Sequence, residues 1–133
     1  MPTNSNILGI DIGSVSISAV EMAPNKKITG TYYQFHQGKI TETLKNILEQ
    51  LDLRRICGIA STSSTPQILK TNRQYDNRVA IMKACRFFYG PVNAILIVGG
   101  EKFGLIRFDE KGNYLNFKAN TSCAAGTGSF LDQ

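Results

Sequence analysis

The sequence has little that would place the protein in a membrane or among secreted proteins. No apolar run approaches the roughly 20 residues needed to cross a bilayer. The N-terminal segment is short and polar, without the charged and apolar regions of a secretory signal peptide. The three cysteines are widely spaced, and an odd count without a signal peptide is typical of a reducing compartment. We therefore expect a cytoplasmic protein that forms no disulfides and does not associate with a membrane.

The sequence also lacks a nucleic-acid-binding pattern, because no aromatic residues alternate with basic ones in a known motif. The net charge of +5 is modest. Much of the local basic excess comes from Lys70, Arg73, Arg78, Lys83 and Arg86. A solvated helix face is favoured over an anionic ligand or partner as the reason for this excess. With 133 residues, of which 42% are apolar and 19% charged, the chain is long enough for one globular domain.

Residues 6–22 carry the first chemical signal. A single carboxylate, Asp11, interrupts an apolar run, and burying an unpaired charge is expensive. Gly13 and Ser14 follow as a tight turn, where glycine lets the backbone approach an anion and serine offers a hydroxyl. Asp11 at the same end could hold a hydrated divalent cation. The stretch predicts a β-hairpin with a phosphate and metal site, although an ordinary hairpin with Asp11 in its turn fits these residues equally well.

The spacing of apolar residues predicts an α/β fold with a mixed sheet. Helices are expected from residue 40 to 51 and over residues 77–89, the second with Cys85 and Phe88 on its apolar face. Strands are expected over residues 6–12, 15–22, 27–35, 55–60, 94–98, 103–108 and 114–118. The order strand, glycine turn, strand, turn, strand occurs twice, which indicates an internal duplication. Cys57, in the strand over residues 55–60, and Cys85 are expected to pack in the core.

The last stretch, residues 120–133, is the most specific. Cys123 precedes a turn of small residues in which Gly126, Thr127 and Gly128 expose backbone amides at the start of a helix, a good anion site. A cysteine at such a position has a lowered pKa and is a ready thiolate ligand. The alternative is a small residue that only fills the turn. Because the sequence stops just after this helix begins, we expect it to be part of a longer chain.

Three segments together resemble one family. Residues 9–14, 98–100 and 122–131 are similar to the ATP-dependent activators of 2-hydroxyacyl-CoA dehydratases and to the ATPase subunits of benzoyl-CoA reductase. The resemblance spans nearly the whole chain and is greatest with the long multidomain members. It implies the ribonuclease-H-like fold of actin-like ATPases, with a first half at residues 1–91. A second half would begin at residue 92 and continue past residue 133.

The resemblance also implies roles for individual residues. Asp11, Gly13 and Ser14 match a first phosphate loop that addresses ATP and, through water, Mg²⁺. Gly99 and Gly100 match a second phosphate loop, and Gly126, Thr127 and Gly128 match a nucleotide-binding turn. Cys123 matches a ligand of a 4Fe-4S cluster that two subunits of a homodimer share. The implied partner is a 2-hydroxyacyl-CoA dehydratase or an acyl-CoA reductase, and the implied activity is ATP-driven electron transfer to it.

Some positions depart from the family pattern. Ile97 and Lys102 stand where the shorter activators carry acidic residues, and Glu101 is the one nearby carboxylate that could act in hydrolysis. These departures favour an alternative, a degenerate module that binds nucleotide or dimerises and regulates a second activase copy in a longer chain. A sugar or acetate kinase on the same fold ranks last, because such kinases have no use for Cys123.

Overall fold

A computed structural model of the protein describes residues 5–99 and 103–120. The chain divides into two compact units, one ending at Asn77 and the other beginning at Arg78. Each unit contains one β-sheet. No helix in these two ranges is long and apolar enough to cross a membrane. The expected boundary between the two halves of the complete fold, after residue 91, stays a prediction.

The first unit is a five-stranded mixed sheet with one α-helix packed on it. Its elements are β1 (Asn6–Ile12), β2 (Ser16–Met22), β3 (Ile28–Phe35), α1 (Ile40–Glu49), a short 3-10 helix (Leu53–Arg55), β4 (Ile56–Thr62) and β5 (Arg73–Tyr75). The strand order is β3-β2-β1-β4-β5. Strand β1 pairs antiparallel with β2 and parallel with β4, so it lies at the centre of the sheet.

Alternation along β1 decides which side chains enter the core. Leu8, Ile10 and Ile12 are buried against α1, whereas Asp11 is half-buried on the opposite face. The remaining core residues are Ile17, Ala19, Leu44, Ile47 and Leu51. Because it is only half-buried, Asp11 escapes the full cost of burying a carboxylate.

The described part of the second unit packs one helix on a three-stranded antiparallel sheet. Helix α2 spans Asn77–Tyr89, and the strands are β6 (Ala94–Val98), β7 (Phe103–Phe108) and β8 (Tyr114–Asn120), in the order β6-β7-β8. Ile95, Ile106 and Phe108 form its core, with Ile81 and Cys85 of α2 packed against them. Because β1-β2-β3 is also an antiparallel series, the predicted repetition of a three-strand plan is confirmed.

The structure differs from the sequence-based expectations in the burial of Cys57 and Phe88 and in one additional strand. Cys57 is exposed and lies at a register shift in the β1–β4 pairing, where Asn6 pairs with Ile56 and Ile7 with Gly58. Cys85 was expected to pack in the core, and it is half-buried against the core of the second unit. Phe88 is 60% exposed, so the apolar face of α2 is narrower than its spacing suggested. Strand β5 has only three residues and no apolar alternation, and the sequence pattern missed it.

A buried polar contact lies at the end of β1 away from the β1–β2 turn. Glu21 of β2 is 1% exposed and accepts a hydrogen bond from Asn6 Nδ2 at 2.6 Å. Its second oxygen lies 3.5 Å from Arg55 Nη2, whose side chain is half-exposed. Asn6 itself is buried.

Replacing Glu21 with methionine should destabilise the protein by about 1–3 kcal/mol, because the buried Asn6 amide loses its acceptor. Glu21→Gln keeps an acceptor oxygen and loses only an ion pair with a half-exposed arginine, so it should cost about 1 kcal/mol or less. Urea unfolding of the two variants measures both free energies. Equal decreases in the free energy of unfolding for Glu21→Met and Glu21→Gln would show that the charge of Glu21, and not its hydrogen bond to Asn6, stabilises the protein.

Candidate functional site

The β1–β2 turn forms the candidate site. The Gly13 N–H donates to Ser16 O at 2.9 Å and closes a tight turn at the end of the hairpin. Ser14 is exposed, and neither its amide nor its hydroxyl has a partner within residues 5–99 and 103–120. The turn thus offers hydrogen-bond donors to solvent next to Asp11. Backbone amides and a hydroxyl in such a turn can bind the oxygens of an anion.

The carboxylate of Asp11 is held from the neighbouring strand. Parallel pairing of β1 with β4 sets Ile10 beside Ser61, so the next residues, Asp11 and Thr62, also lie side by side. Thr62 Oγ1 donates to Asp11 Oδ1 at 2.6 Å, and Ser64 Oγ lies 3.4 Å from the same oxygen. Oδ2 of Asp11 has no hydrogen-bond partner among the described residues. One carboxylate oxygen is therefore fixed and the other is available.

A histidine holds the turn from the other side. His36 is 6% exposed and follows β3. Its Nδ1 accepts from the Gly38 N–H at 3.0 Å, so Nε2 carries the proton and donates to Gly13 O at 2.9 Å. Its backbone N–H also donates to Val15 O at 3.1 Å. Gly38 adopts φ +80°, a conformation that favours glycine and lets its amide reach back to the ring.

The donor set around Asp11 suits a hydrated cation that is bound largely through water. No group of three or more His, Cys, Asp or Glu side chains that could hold a metal occurs in the described parts of the chain. A single carboxylate with a free oxygen beside anion-binding donors suits Mg²⁺, which keeps several waters and is bound through one or two carboxylates and substrate phosphates. It does not suit a metal that needs an all-protein cage.

The structure brings together some of the residues expected from the sequence. Asp11, Gly13 and Ser14 lie at one turn, as the sequence predicted. Gly99 follows β6 in the second unit and is exposed. The other expected site residues lie outside the described residues and stay predictions: Gly100, Glu101, Cys123, Gly126, Thr127 and Gly128.

Sequence reasoning missed the residues that support the site. The sequence did not indicate that His36 supports the site, because a single histidine after a strand belongs to no motif. Thr62, Ser64 and Thr65 belong to a run of hydroxyl residues to which the sequence alone assigns no role. The clue available was their position directly after a strand parallel to β1, since parallel strands end at the same edge of a sheet.

A sequence model of the BadF/BadG/BcrA/BcrD ATPase family matches residues 8–133, which include the whole candidate site. The chain belongs to this family. Its relatives include the activator of lactoyl-CoA dehydratase from Anaerotignum propionicum, which is 30% identical over 132 residues. That alignment covers 94% of this chain and 51% of the relative, so the chain spans about half of the relative's length.

Two solved structures share the fold. One is the activator of 2-hydroxyisocaproyl-CoA dehydratase from Clostridium difficile with bound ADPNP, with a TM-score of 0.75 at 23% identity. It is matched over 96% of this chain and 50% of its own. Component A of the (R)-2-hydroxyglutaryl-CoA dehydratase from Acidaminococcus fermentans gives the same TM-score and identity, over 97% of this chain and 52% of its own. The fold is therefore the mixed sheet with helices of the actin-like ATPases.

Replacing His36 with leucine should loosen the β1–β2 turn, because Gly13 O loses a buried donor. The loss of one such hydrogen bond, about 1 kcal/mol, corresponds to about fivefold faster hydrogen exchange at the Gly13 amide. His36→Gln keeps a side-chain donor and should exchange more slowly than His36→Leu. Amide exchange followed by mass spectrometry checks this, and unchanged protection in His36→Leu would show that the ring does not hold the turn.

Proposed function

We propose that the whole protein is an ATP-dependent activator that transfers an electron through a 4Fe-4S cluster, shared by two subunits, to a CoA-ester dehydratase or reductase. Family membership and the relative named as an activator of lactoyl-CoA dehydratase support this proposal. A structural neighbour with bound ADPNP supports the nucleotide part. When bound, ATP supplies the driving free energy and the cluster supplies the electron.

The observation that supports nucleotide binding is the difference in hydrogen bonding between the two carboxylate oxygens of Asp11. Its Oδ1 accepts from Thr62, whereas neither its Oδ2 nor the donors of nearby Ser14 have a partner among the residues that the structure describes. In the proposed role, Ser14 donates to phosphate oxygens and Gly13 lets them approach the backbone. Asp11 orients the water shell of the Mg²⁺ that accompanies the phosphates. The His36 bond to Gly13 keeps the turn in shape without touching the ligand.

The electron-transfer part rests on the sequence match at Cys123. A 4Fe-4S cluster takes four thiolate ligands. Cys57 and Cys85 lie in different compact units, one exposed and one half-buried, and neither belongs to a metal-binding group among the described residues. The resemblance implies a second ligand cysteine beyond residue 133, and sharing the cluster across a twofold axis is the simplest way for Cys123 and that cysteine to supply four ligands. The helix N-terminus expected at residues 126–129 would favour the thiolate.

One observation favours the alternative, a degenerate module that regulates a second activase copy. Ile97 stands where the resemblance implies an acidic residue in the shorter activators, and it packs against the core of the second unit. No carboxylate is therefore available at that position to orient Mg²⁺ or an attacking water. A module of this kind would bind nucleotide at the β1–β2 turn without hydrolysing it.

Two measurements on the anaerobically purified full-length protein separate these functions. The activator should show iron–sulfur absorbance and turn over ATP. The degenerate module should bind ADPNP and show no turnover above that of an Asp11→Asn variant. Failure to bind ADPNP at all would contradict both.

Replacing Cys123 with serine in the full-length protein should abolish the cluster and weaken the dimer, because a serine hydroxyl is a poor iron ligand. Cys57→Ser and Cys85→Ser are the matched controls and should keep the iron content of the wild type. Iron and sulfide analysis with analytical ultracentrifugation measures both effects. Full iron content in Cys123→Ser would make Cys123 a structural residue and end the electron-transfer proposal.

A further inference from the structure

Thr62 lies at the centre of the hydroxyl cluster beside Asp11. Its Oγ1 is 2.6 Å from Asp11 Oδ1, 3.0 Å from Thr65 Oγ1 and 3.2 Å from Ser64 Oγ. An ionised carboxylate only accepts hydrogen bonds, so the single hydroxyl hydrogen of Thr62 points to Asp11. Toward its other two neighbours, Thr62 must therefore act as an acceptor.

Thr65 completes a chain of hydrogen bonds with one direction. The Ile12 N–H donates to Thr65 Oγ1 at 3.1 Å, which leaves the Thr65 hydroxyl hydrogen for Thr62. The chain thus runs from the Ile12 amide through Thr65 and Thr62 to Asp11 Oδ1. It starts and ends on adjacent residues of β1, and Thr65 is 4% exposed. Hydrogen bonds in such a chain polarise and strengthen one another.

This chain fixes the orientation of Asp11. A half-exposed aspartate without partners can rotate about both side-chain torsions, and a ligand must stop that rotation when it binds. Because Oδ1 is held, Oδ2 stays on the side where no described residue bonds to it, before any ligand arrives. A pre-oriented carboxylate binds a hydrated cation more tightly than a mobile one does.

We propose that Thr62, supported by Thr65, is a positioning residue that presents Asp11 Oδ2 to the hydrated cation accompanying a bound nucleoside triphosphate. This inference rests on the proposed nucleotide binding at the β1–β2 turn. Thr62 acts through Asp11 and does not itself contact the ligand. Its effect should therefore appear in cation-dependent binding and not in binding of the nucleotide alone.

The test measures ADPNP binding to the full-length protein by calorimetry, with and without Mg²⁺. Thr62→Val has the same shape as threonine but no hydroxyl, and it should weaken binding in Mg²⁺ about tenfold, as expected for losing a hydrogen bond to a charged group. Without Mg²⁺ its affinity should stay within about twofold of the wild type. Thr62→Ser keeps the hydroxyl and should restore cation-dependent binding.

Two further variants keep the test interpretable if Thr62→Val is unstable. Thr65→Val breaks the chain one step earlier and should cost less, about threefold in Mg²⁺. Thr71→Val removes a hydroxyl that accepts a hydrogen bond from Ser61 Oγ at 3.3 Å. It is the control for the loss of a hydrogen bond between two hydroxyls elsewhere in the same unit. It should bind ADPNP like the wild type under both conditions.

The outcomes separate this inference from the proposed function. If the wild type binds ADPNP with Mg²⁺ and Thr62→Val binds equally well, the inference fails and the proposed function stands. Equal losses with and without Mg²⁺ would make Thr62 a structural residue and also overturn the inference. A wild type that does not bind ADPNP overturns the proposed function and this inference with it.

Discussion

The pairing of β1 on both of its edges is the constraint on which the candidate site depends. Antiparallel bonds to β2 fix the turn that follows β1, and parallel bonds to β4 bring the loop after β4 to the same end. The turn after β3 reaches this end as well, through His36. Asp11 thus lies where three chain segments meet, on a strand that cannot shift without exposing Leu8, Ile10 and Ile12. The rigidity of the site follows from core packing on the opposite face of the same strand.

The two antiparallel strand series differ at one informative position. Asp11 precedes Gly13 by two residues, and Ile97 precedes Gly99 by the same spacing. In the first unit this position carries a carboxylate on the face away from α1, held by Thr62. In the second unit it carries an apolar side chain that packs against the core. The same strand order thus carries a charged residue at this position in the first unit and an apolar residue in the second, and the proposed cation chemistry belongs to the first unit.

Within the described residues, the sequence predicted both α-helices, seven of the eight strands and the β1–β2 turn, because these follow from local apolar spacing and glycine positions. It did not predict the support around Asp11. His36 and Thr62 approach the turn only after β3 and β4 have paired in register, and no local pattern encodes that approach. The expected burial of Cys57 was wrong for a related reason. The local apolar pattern of residues 55–60 does not reveal the register shift at Cys57, which arises only when β1 and β4 pair.

A crystal structure of the full-length protein with ADPNP and Mg²⁺ tests the central claim most directly. The account predicts that the phosphates lie on the donors of Ser14 and that a water of the Mg²⁺ shell contacts Asp11 Oδ2. Thr62 should remain bonded to Oδ1, at the distance of 2.6 Å described above. Phosphates bound away from the β1–β2 turn, or an Asp11 carboxylate turned away from the cation, would contradict it.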